Sequence, residues 1–194
     1  MTDLIMDRAP MHRIIEGIGP DGTALYIGDA EAASNINRLH QEGIVAVVNC
    51  AVNLNVNYAK ADSAQPSLGA YGPGTLRTYK LGLIDGPGNT VGQLLAGYYL
   101  LKSAFEQRMP ATPSYPLPSA GNVLVHCRGG RSRSVIIAAL FLLKECSDRF
   151  TSLDAAIHHI RQQRQLHPSE WHETPKPMLI DLARLASEAL NRLD

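Results

Sequence analysis

Residues 123–134, VLVHCRGGRSRS, combine a short apolar run with a segment rich in glycine, arginine and serine. The segment opens with a short apolar run at 123–125, and a longer apolar run at 135–143 follows it. A short apolar run, a glycine-containing segment and a long apolar run predict a buried strand, a tight loop and a buried helix. The rest of the chain is best interpreted around this strand–loop–helix unit.

The loop has the composition of an anion-binding site. Its glycines, Gly129 and Gly130, permit backbone conformations in which successive N–H groups point at one centre. The N-terminus of the following helix directs its free N–H groups and its positive dipole end to the same place. Arg133 can add a bidentate guanidinium fork. The loop is therefore predicted to hold a tetrahedral dianion.

Cys127 lies at the start of this loop, where the same donors would stabilise a thiolate. A free cysteine has a pKa near 8.5, and cationic or helix N-terminal settings lower the value to roughly 3.5–7.5. The simplest alternative is a strand-to-helix turn with a buried, inert cysteine. A second alternative is a sulfur-transferase loop, and the Ser132-Arg133-Ser134 ending argues against it.

The pattern His126-Cys127-x-x-Gly130-x-x-Arg133-Ser134 resembles the signature of the cysteine-dependent dual-specificity and tyrosine phosphatases. The resemblance implies that Cys127 is the nucleophile and that Ser134 assists hydrolysis of a phosphocysteine intermediate. It gives His126 a role in orienting the loop through hydrogen bonds. The residues expected to bind phosphate are Arg128, Gly129, Gly130, Arg131, Ser132 and Arg133.

The resemblance also requires an aspartic acid on an upstream loop to act as general acid. Asp85 fits best, because it follows a predicted strand, lies among turn residues and precedes an amphipathic helix. Without that context, Asp85 would simply begin an Asp-Gly turn. Asp62, in a polar loop, is the reserve candidate. A proline-rich connector at about 109–122 accounts for the long separation between Asp85 and Cys127.

Two further features have competing interpretations. Arg128 and Arg131 occupy positions where tensin-type lipid phosphatases carry lysine, which would suit a substrate with several phosphates. Exposed arginines that attract any dianion are the favoured interpretation. Cys50 ends a predicted central strand, as a cysteine does in those lipid phosphatases, and is a possible redox partner of Cys127. A small buried core residue is an equally good interpretation of Cys50.

The whole chain is predicted to be one α/β domain, residues 1–194, with helices on both faces of a sheet. The resemblance implies a mixed, roughly five-stranded sheet with the phosphate loop between a central strand and its helix. Strands are predicted at 13–16, 24–28, 44–49, 75–81 and 123–126. Helices are predicted at 29–42, 90–108, 135–143 and 151–164, with a last helix opened by Thr174-Pro175 and packed through Leu179, Leu182, Leu185 and Leu190.

Composition excludes several functional classes. The 18 basic and 18 acidic residues balance, so there is no basic excess to indicate nucleic acid or an anionic membrane as partner. No signal sequence or transmembrane run is recognised. Three scattered cysteines indicate neither a disulfide framework nor a zinc site, and no metal or cofactor is expected.

We expect a cytoplasmic phosphatase with a phosphorylated protein as substrate. The remaining alternatives are a phosphatase for phosphoinositides or other polyphosphorylated small molecules, and a phospho-binding pseudophosphatase.

Overall fold

A computed structural model describes residues 8–59, 72–116 and 120–193. Within these residues, one sheet contains the strands β1 (Met11–Ile18), β2 (Thr23–Gly28), β3 (Ile44–Ala51), β4 (Arg77–Leu83) and β5 (Asn122–His126). The strand order is β1-β2-β5-β3-β4. Only the β1–β2 pair is antiparallel, and the other three pairs are parallel. The predicted mixed five-stranded sheet is confirmed.

Strand β5 lies at the centre of the sheet, between β2 and β3. Every residue of β3 is buried, as the continuous β-branched run predicted for a strand covered on both faces. Because β2, β5, β3 and β4 are mutually parallel, their carboxyl ends meet at one edge of the sheet. The segments that follow Gly28, Ala51, Leu83 and His126 therefore converge there.

Helices cover both faces of the sheet. They are α1 (Ala30–Ser34), α2 (Ile36–Gln41), α3 (Val91–Glu106), α4 (Arg133–Glu145), α5 (Leu153–Gln163) and α6 (Pro177–Leu190), with a short 3₁₀ helix at Pro168–Glu170. The larger core lies between the sheet and α3–α6, and a smaller one includes residues of α1 and α2. No helix in the described part of the chain is long and apolar enough to span a membrane.

The predicted helix at 29–42 is two short helices that meet at Asn35. The Asn35 N–H donates to the Ala32 carbonyl and closes α1, while its side-chain oxygen accepts from the Arg38 N–H and caps α2. Short polar side chains offer the backbone such local alternatives to a continuous helix. Hydrophobic spacing alone could not reveal this break. Gly43, predicted as the stop, follows with a positive φ of 63°.

The predicted start of the last helix is wrong by two residues. Pro177 occupies its first turn, and the N-cap residue Lys176 makes no side-chain cap hydrogen bond. The Thr174 hydroxyl instead donates to the Glu170 carbonyl at 2.6 Å. Leu185 was expected in the core but is 53% exposed. The buried positions are Leu179, Ala183, Ala186 and Leu190.

The proline-rich connector contains no helix or strand in its described part, 109–116 and 120–121. It is turned rather than extended at its start. The Thr112 N–H donates to the Pro110 carbonyl at 2.8 Å, and the Tyr115 N–H donates to the Thr112 carbonyl at 3.1 Å. Asp62, the reserve general acid, lies outside the described residues.

Candidate active site

The loop between β5 and α4 curls at the edge where the parallel strands end. The Arg128 carbonyl accepts a hydrogen bond from the Ala30 N–H at 3.1 Å, which fixes one side of the loop. Gly130 has a φ of 62°, and a Cβ there would lie 2.6 Å from the Gly28 carbonyl oxygen. A side chain at 130 would therefore be strained and would collide with β2. This explains the glycine at that position.

Cys127 is buried at the start of the loop, with its Sγ 3.3 Å from the Ser134 Oγ. Burial by itself would raise the pKa of this thiol. Hydrogen bonds from the Ser134 hydroxyl and N–H, the charge of Arg133 and the Arg131 N–H outweigh burial and lower the pKa below its ordinary value. The arrangement therefore favours a thiolate at Cys127.

Arg133 begins α4 and is almost fully buried. Its Nη1 donates to the Asn53 Oδ1 at 3.0 Å and to the Leu83 carbonyl at 3.2 Å. Its Nε is buried and, among the described residues, has no hydrogen-bond partner. The Asp85 Oδ1 lies 3.9 Å from Nε. An unsatisfied buried N–H is costly, so this edge of the guanidinium is suited to an anionic ligand.

Asp85 lies in the loop after β4, and its side chain is 44% exposed. Asn89 holds this loop in place. Its Oδ1 accepts from the Ile84 N–H at 2.8 Å, and its Nδ2 donates to the carbonyls of Ile84 and Gly86 at 2.9 and 3.0 Å. The carboxyl group is thus carried on a braced turn beside the phosphate-loop residues. From this position, Asp85 could donate a proton to a ligand bound in the phosphate loop.

A cavity of about 530 Å³ opens above the loop. Its lining residues are Asp85, Cys127, Arg128, Gly129, Arg131, Ser132, Arg133, Glu173, Thr174 and Lys176. The segment before α6 contributes the last three, which the sequence analysis did not assign to the site. The Lys176 N–H donates to the Ser132 Oγ at 3.0 Å and ties this segment to the loop.

Arg164 supports the loop from behind and is fully buried. Its Nε donates to the Gly130 carbonyl at 3.3 Å, and its Nη1 donates to the Ala9 carbonyl at 2.8 Å. Burial is the main cause that lowers the pKa of Arg164 to about 10, so it stays charged at neutral pH. The sequence contained a signal that could have identified Arg164 as a buried residue. It continues the helical spacing of Ile157 and Ile160, the inward-facing residues of α5.

His126 and Cys50 lie beneath the loop. Burial lowers the pKa of His126 to about 4, so the ring is neutral at physiological pH. Neither ring nitrogen makes a hydrogen bond of good geometry to a described residue, but the Cys127 backbone interacts with the ring and partly opposes the effect of burial on the pKa. The loop-orienting role of His126 stays a prediction. Cys50 is a buried free thiol on β3, the strand beside β5, and burial raises its pKa.

The two arginines within the loop are exposed. Arg131 forms an ion pair, in which its Nη1 donates to the Glu170 Oε1 at 2.7 Å. Arg128 lines the cavity and adds positive charge at its rim. Among the residues described, no group of three or more histidine, cysteine or acidic side chains is arranged to hold a metal ion.

No family model matches the sequence. Solved structures are similar over nearly the whole chain. Human DUSP28 is 20% identical with a TM-score of 0.63, covering 94% of this chain and 96% of DUSP28. The Yvh1 phosphatase domain from Chaetomium thermophilum is 17% identical with a TM-score of 0.64, covering 95% and 99%. PTPMT1 in complex with PI(5)P is 17% identical with a TM-score of 0.55, covering 95% and 98%. The resemblance seen in the loop motif extends to the architecture, and the chain has the fold of the dual-specificity phosphatases.

Proposed function

We propose that this protein is a cysteine-dependent phosphatase that hydrolyses phosphotyrosine, and also phosphoserine and phosphothreonine, in protein substrates. One observation carries the proposal. The Cys127 sulfur, with its lowered pKa, lies in a cavity whose wall presents the buried Nε of Arg133, which has no hydrogen-bond partner among the residues that the structure describes. A nucleophile and a vacant charged donor edge in one cavity suit a tetrahedral dianion.

In the first step, the Cys127 thiolate attacks phosphorus and the bond from phosphorus to the leaving oxygen breaks. Asp85, in its acid form, donates its proton to that oxygen. The loop N–H groups and Arg133 stabilise the charge on the equatorial oxygens. The product is phosphocysteine and a free hydroxyl group on the substrate.

In the second step, water attacks phosphorus and the S–P bond breaks. The Asp85 carboxylate takes the proton from that water. The Ser134 hydroxyl, 3.3 Å from the sulfur, donates a hydrogen bond to the departing thiolate. The step returns the free enzyme and inorganic phosphate.

A substrate panel tests the proposal. Phosphotyrosine and phosphothreonine peptides and a phosphoinositide are offered at equal concentration to the wild-type protein, Cys127→Ser and Arg133→Lys. We expect the phosphopeptides to be hydrolysed most rapidly and both variants to be inactive. Cys127→Ser should still bind tungstate, a tetrahedral dianion, whereas Arg133→Lys should bind it poorly, because an ammonium cannot form the paired fork. Hydrolysis by Cys127→Ser would remove Cys127 as the nucleophile.

The second candidate is a phosphatase for phosphoinositides or other polyphosphorylated small molecules. Arg128 and Arg131 at the cavity rim favour it, and PTPMT1, a similar structure, was solved with PI(5)P. The Arg131–Glu170 ion pair weakens this case, because it neutralises one of the two extra charges. Faster turnover of the phosphoinositide in the same panel would favour this candidate. Tungstate binding without turnover of any substrate would indicate a pseudophosphatase.

A further inference from the structure

We propose that Asn53 is a positioning residue that fixes Arg133 with its Nε–Nη2 edge facing the phosphate. The proposal deepens the function proposed above, on which it rests. Sequence patterns gave no reason to select Asn53, which lies in an irregular segment just after β3. Its importance comes only from what its side chain contacts.

The guanidinium hydrogens of Arg133 determine which edge of the side chain can bind a ligand. A guanidinium is a rigid planar fork, and its Nη1 carries two hydrogens. The Asn53 Oδ1 at 3.0 Å and the Leu83 carbonyl at 3.2 Å accept both. With Nη1 fully used, the orientation of the plane is set. The remaining edge includes Nε, which bonds to no residue in the described part of the chain, and this edge is the one left for a bidentate ligand.

The segment that presents Asn53 is held by side chains from two strands. Asn49 of β3 accepts from the Ala51 N–H at 2.9 Å and donates to the Leu54 carbonyl at 2.8 Å. Lys80 of β4 donates to the Ala51 carbonyl at 2.6 Å, to the Leu54 carbonyl and to the Asn55 Oδ1. Residues 51–55 therefore form a braced loop with Asn53 near its middle.

Lys80 serves this brace rather than the phosphate. An ammonium has three hydrogens, and three oxygen acceptors surround that of Lys80. The loop also joins the second acceptor of Arg133, because the Val52 N–H donates to the same Leu83 carbonyl at 3.0 Å. The ends of β3 and β4 thus present two fixed oxygens to one nitrogen of Arg133.

The consequence of losing Asn53 follows from the position of Asp85. Its Oδ1 is 3.9 Å from the Arg133 Nε, just beyond hydrogen-bonding distance. With one Nη1 hydrogen released, the guanidinium can turn and pair with that carboxylate. Such a pair would occupy the edge meant for phosphate and draw the Asp85 carboxyl group away from the leaving oxygen. Asn53 is therefore expected to keep these two groups apart.

The test measures tungstate affinity by calorimetry in the Cys127→Ser protein, which excludes turnover. Asn53→Ala is expected to weaken binding at least tenfold, about the effect of one hydrogen bond to a charged group. Asn53→Asp should weaken it further, because a carboxylate cancels the charge of Arg133. Asn57→Ala is the matched control, since its Oδ1 accepts from the Ala59 N–H and not from Arg133. Its affinity should be unchanged.

A double-mutant cycle separates positioning from general destabilisation. In an Arg133→Lys background, Asn53→Ala should cause no further loss of affinity, because no fork remains to be positioned. Additive losses, or an affinity of Asn53→Ala within twofold of the parent, would overturn the proposal. If the Cys127→Ser parent itself binds no tungstate, the phosphatase assignment fails and this proposal fails with it. If the parent binds and Asn53→Ala binds equally well, only the role of Asn53 is wrong.

Discussion

Arg164 shows how one buried side chain can orient a backbone group that it does not touch. The Gly130 carbonyl and the Arg131 N–H are opposite ends of one planar peptide unit. A hydrogen bond from Arg164 draws the carbonyl outward, so the N–H points inward, where it helps to lower the pKa of Cys127. The positive charge of Arg164 also attracts a thiolate at Cys127. The thiolate is thus supported from both sides of the loop.

The identity of the general acid is a question at the residue scale, because two carboxyl groups of the described residues line the cavity. They belong to Asp85 and Glu173. Asp85→Asn should slow hydrolysis of an alkyl phosphate by about 10²–10⁴-fold, since the leaving oxygen loses its proton donor. The loss should be much smaller for an aryl phosphate whose leaving group needs no proton. Initial rates on both substrates measure this dependence.

Glu173→Gln provides the matched comparison for Asp85→Asn. It removes a carboxylate from the same cavity, and we expect no dependence on the leaving group. Equal losses on the two substrates in Asp85→Asn would indicate a structural role for Asp85. If Glu173→Gln alone shows the dependence on the leaving group, Glu173 is the acid. If neither variant does, the acid lies elsewhere, with Asp62 as the next candidate.

At the scale of single elements, β5 ends with a buried titratable group, His126, after the apolar residues 123–125. The folded protein keeps His126 neutral with a pKa of about 4, while the unfolded chain has an ordinary histidine with a pKa near 6.5. As pH falls below 6.5, the unfolded state binds a proton that the folded state refuses, so stability decreases. The loss is complete below pH 4 and should reach about 2 kcal/mol at pH 5.

Urea unfolding at pH 8 and pH 5 measures this effect. Other histidines also titrate, so the free energy of unfolding is measured at both pH values for wild type and for His126→Asn. The decrease from pH 8 to pH 5 is then compared between the two proteins. Wild type should lose about 2 kcal/mol more than the variant. An equal pH dependence in the two proteins would show that the ring of His126 can be protonated in the folded state.

The pairing of β3 with β5 governs the redox prediction. Asn49 of β3 is in register with His126, the last residue of β5, so Cys50 in β3 lies beside Cys127, the first residue of the loop, and both side chains belong to the same core. Neighbouring strands are about 4.8 Å apart, within the roughly 4.4–6.8 Å between Cα atoms that a disulfide allows. Peroxide should oxidise the Cys127 thiolate to a sulfenic acid, and attack by Cys50 should release water and form a disulfide.

Recovery of activity with dithiothreitol after peroxide treatment tests the redox pair. We expect full recovery in wild type and incomplete recovery in Cys50→Ser, in which overoxidation of Cys127 is not prevented. Cys146→Ser is the control, because Cys146 follows the far end of α4 and should not affect recovery. Equal recovery of Cys50→Ser and wild type, with no Cys50–Cys127 peptide by mass spectrometry, would leave Cys50 as a core residue.

At the scale of the whole molecule, sequence predicted what is local or strongly periodic. The β-branched run of β3, the Thr90 cap of α3 and the loop motif around Cys127 each carry their signal within a few residues. Asn53 and Lys176 could not be found in this way, because they reach the site from segments that are distant from Cys127 in the sequence. Asn35 was missed for a different reason, since one capping side chain interrupted an otherwise helical pattern.

The single domain predicted from sequence remains to be tested, and the one tryptophan of the chain provides a local reporter. Trp171 lies between α5 and α6, where its Nε1 donates to the Leu166 carbonyl at 3.0 Å. Far-UV circular dichroism reports the average over all elements. If β5 and the helices around it unfold as one unit, tryptophan fluorescence and circular dichroism should give the same urea midpoint. Tungstate at 100 times its Kd should stabilise the protein by about 2.7 kcal/mol and move both midpoints together. A fluorescence midpoint that falls at lower urea, or that tungstate does not move, would show that the region around Trp171 unfolds independently of the phosphate loop.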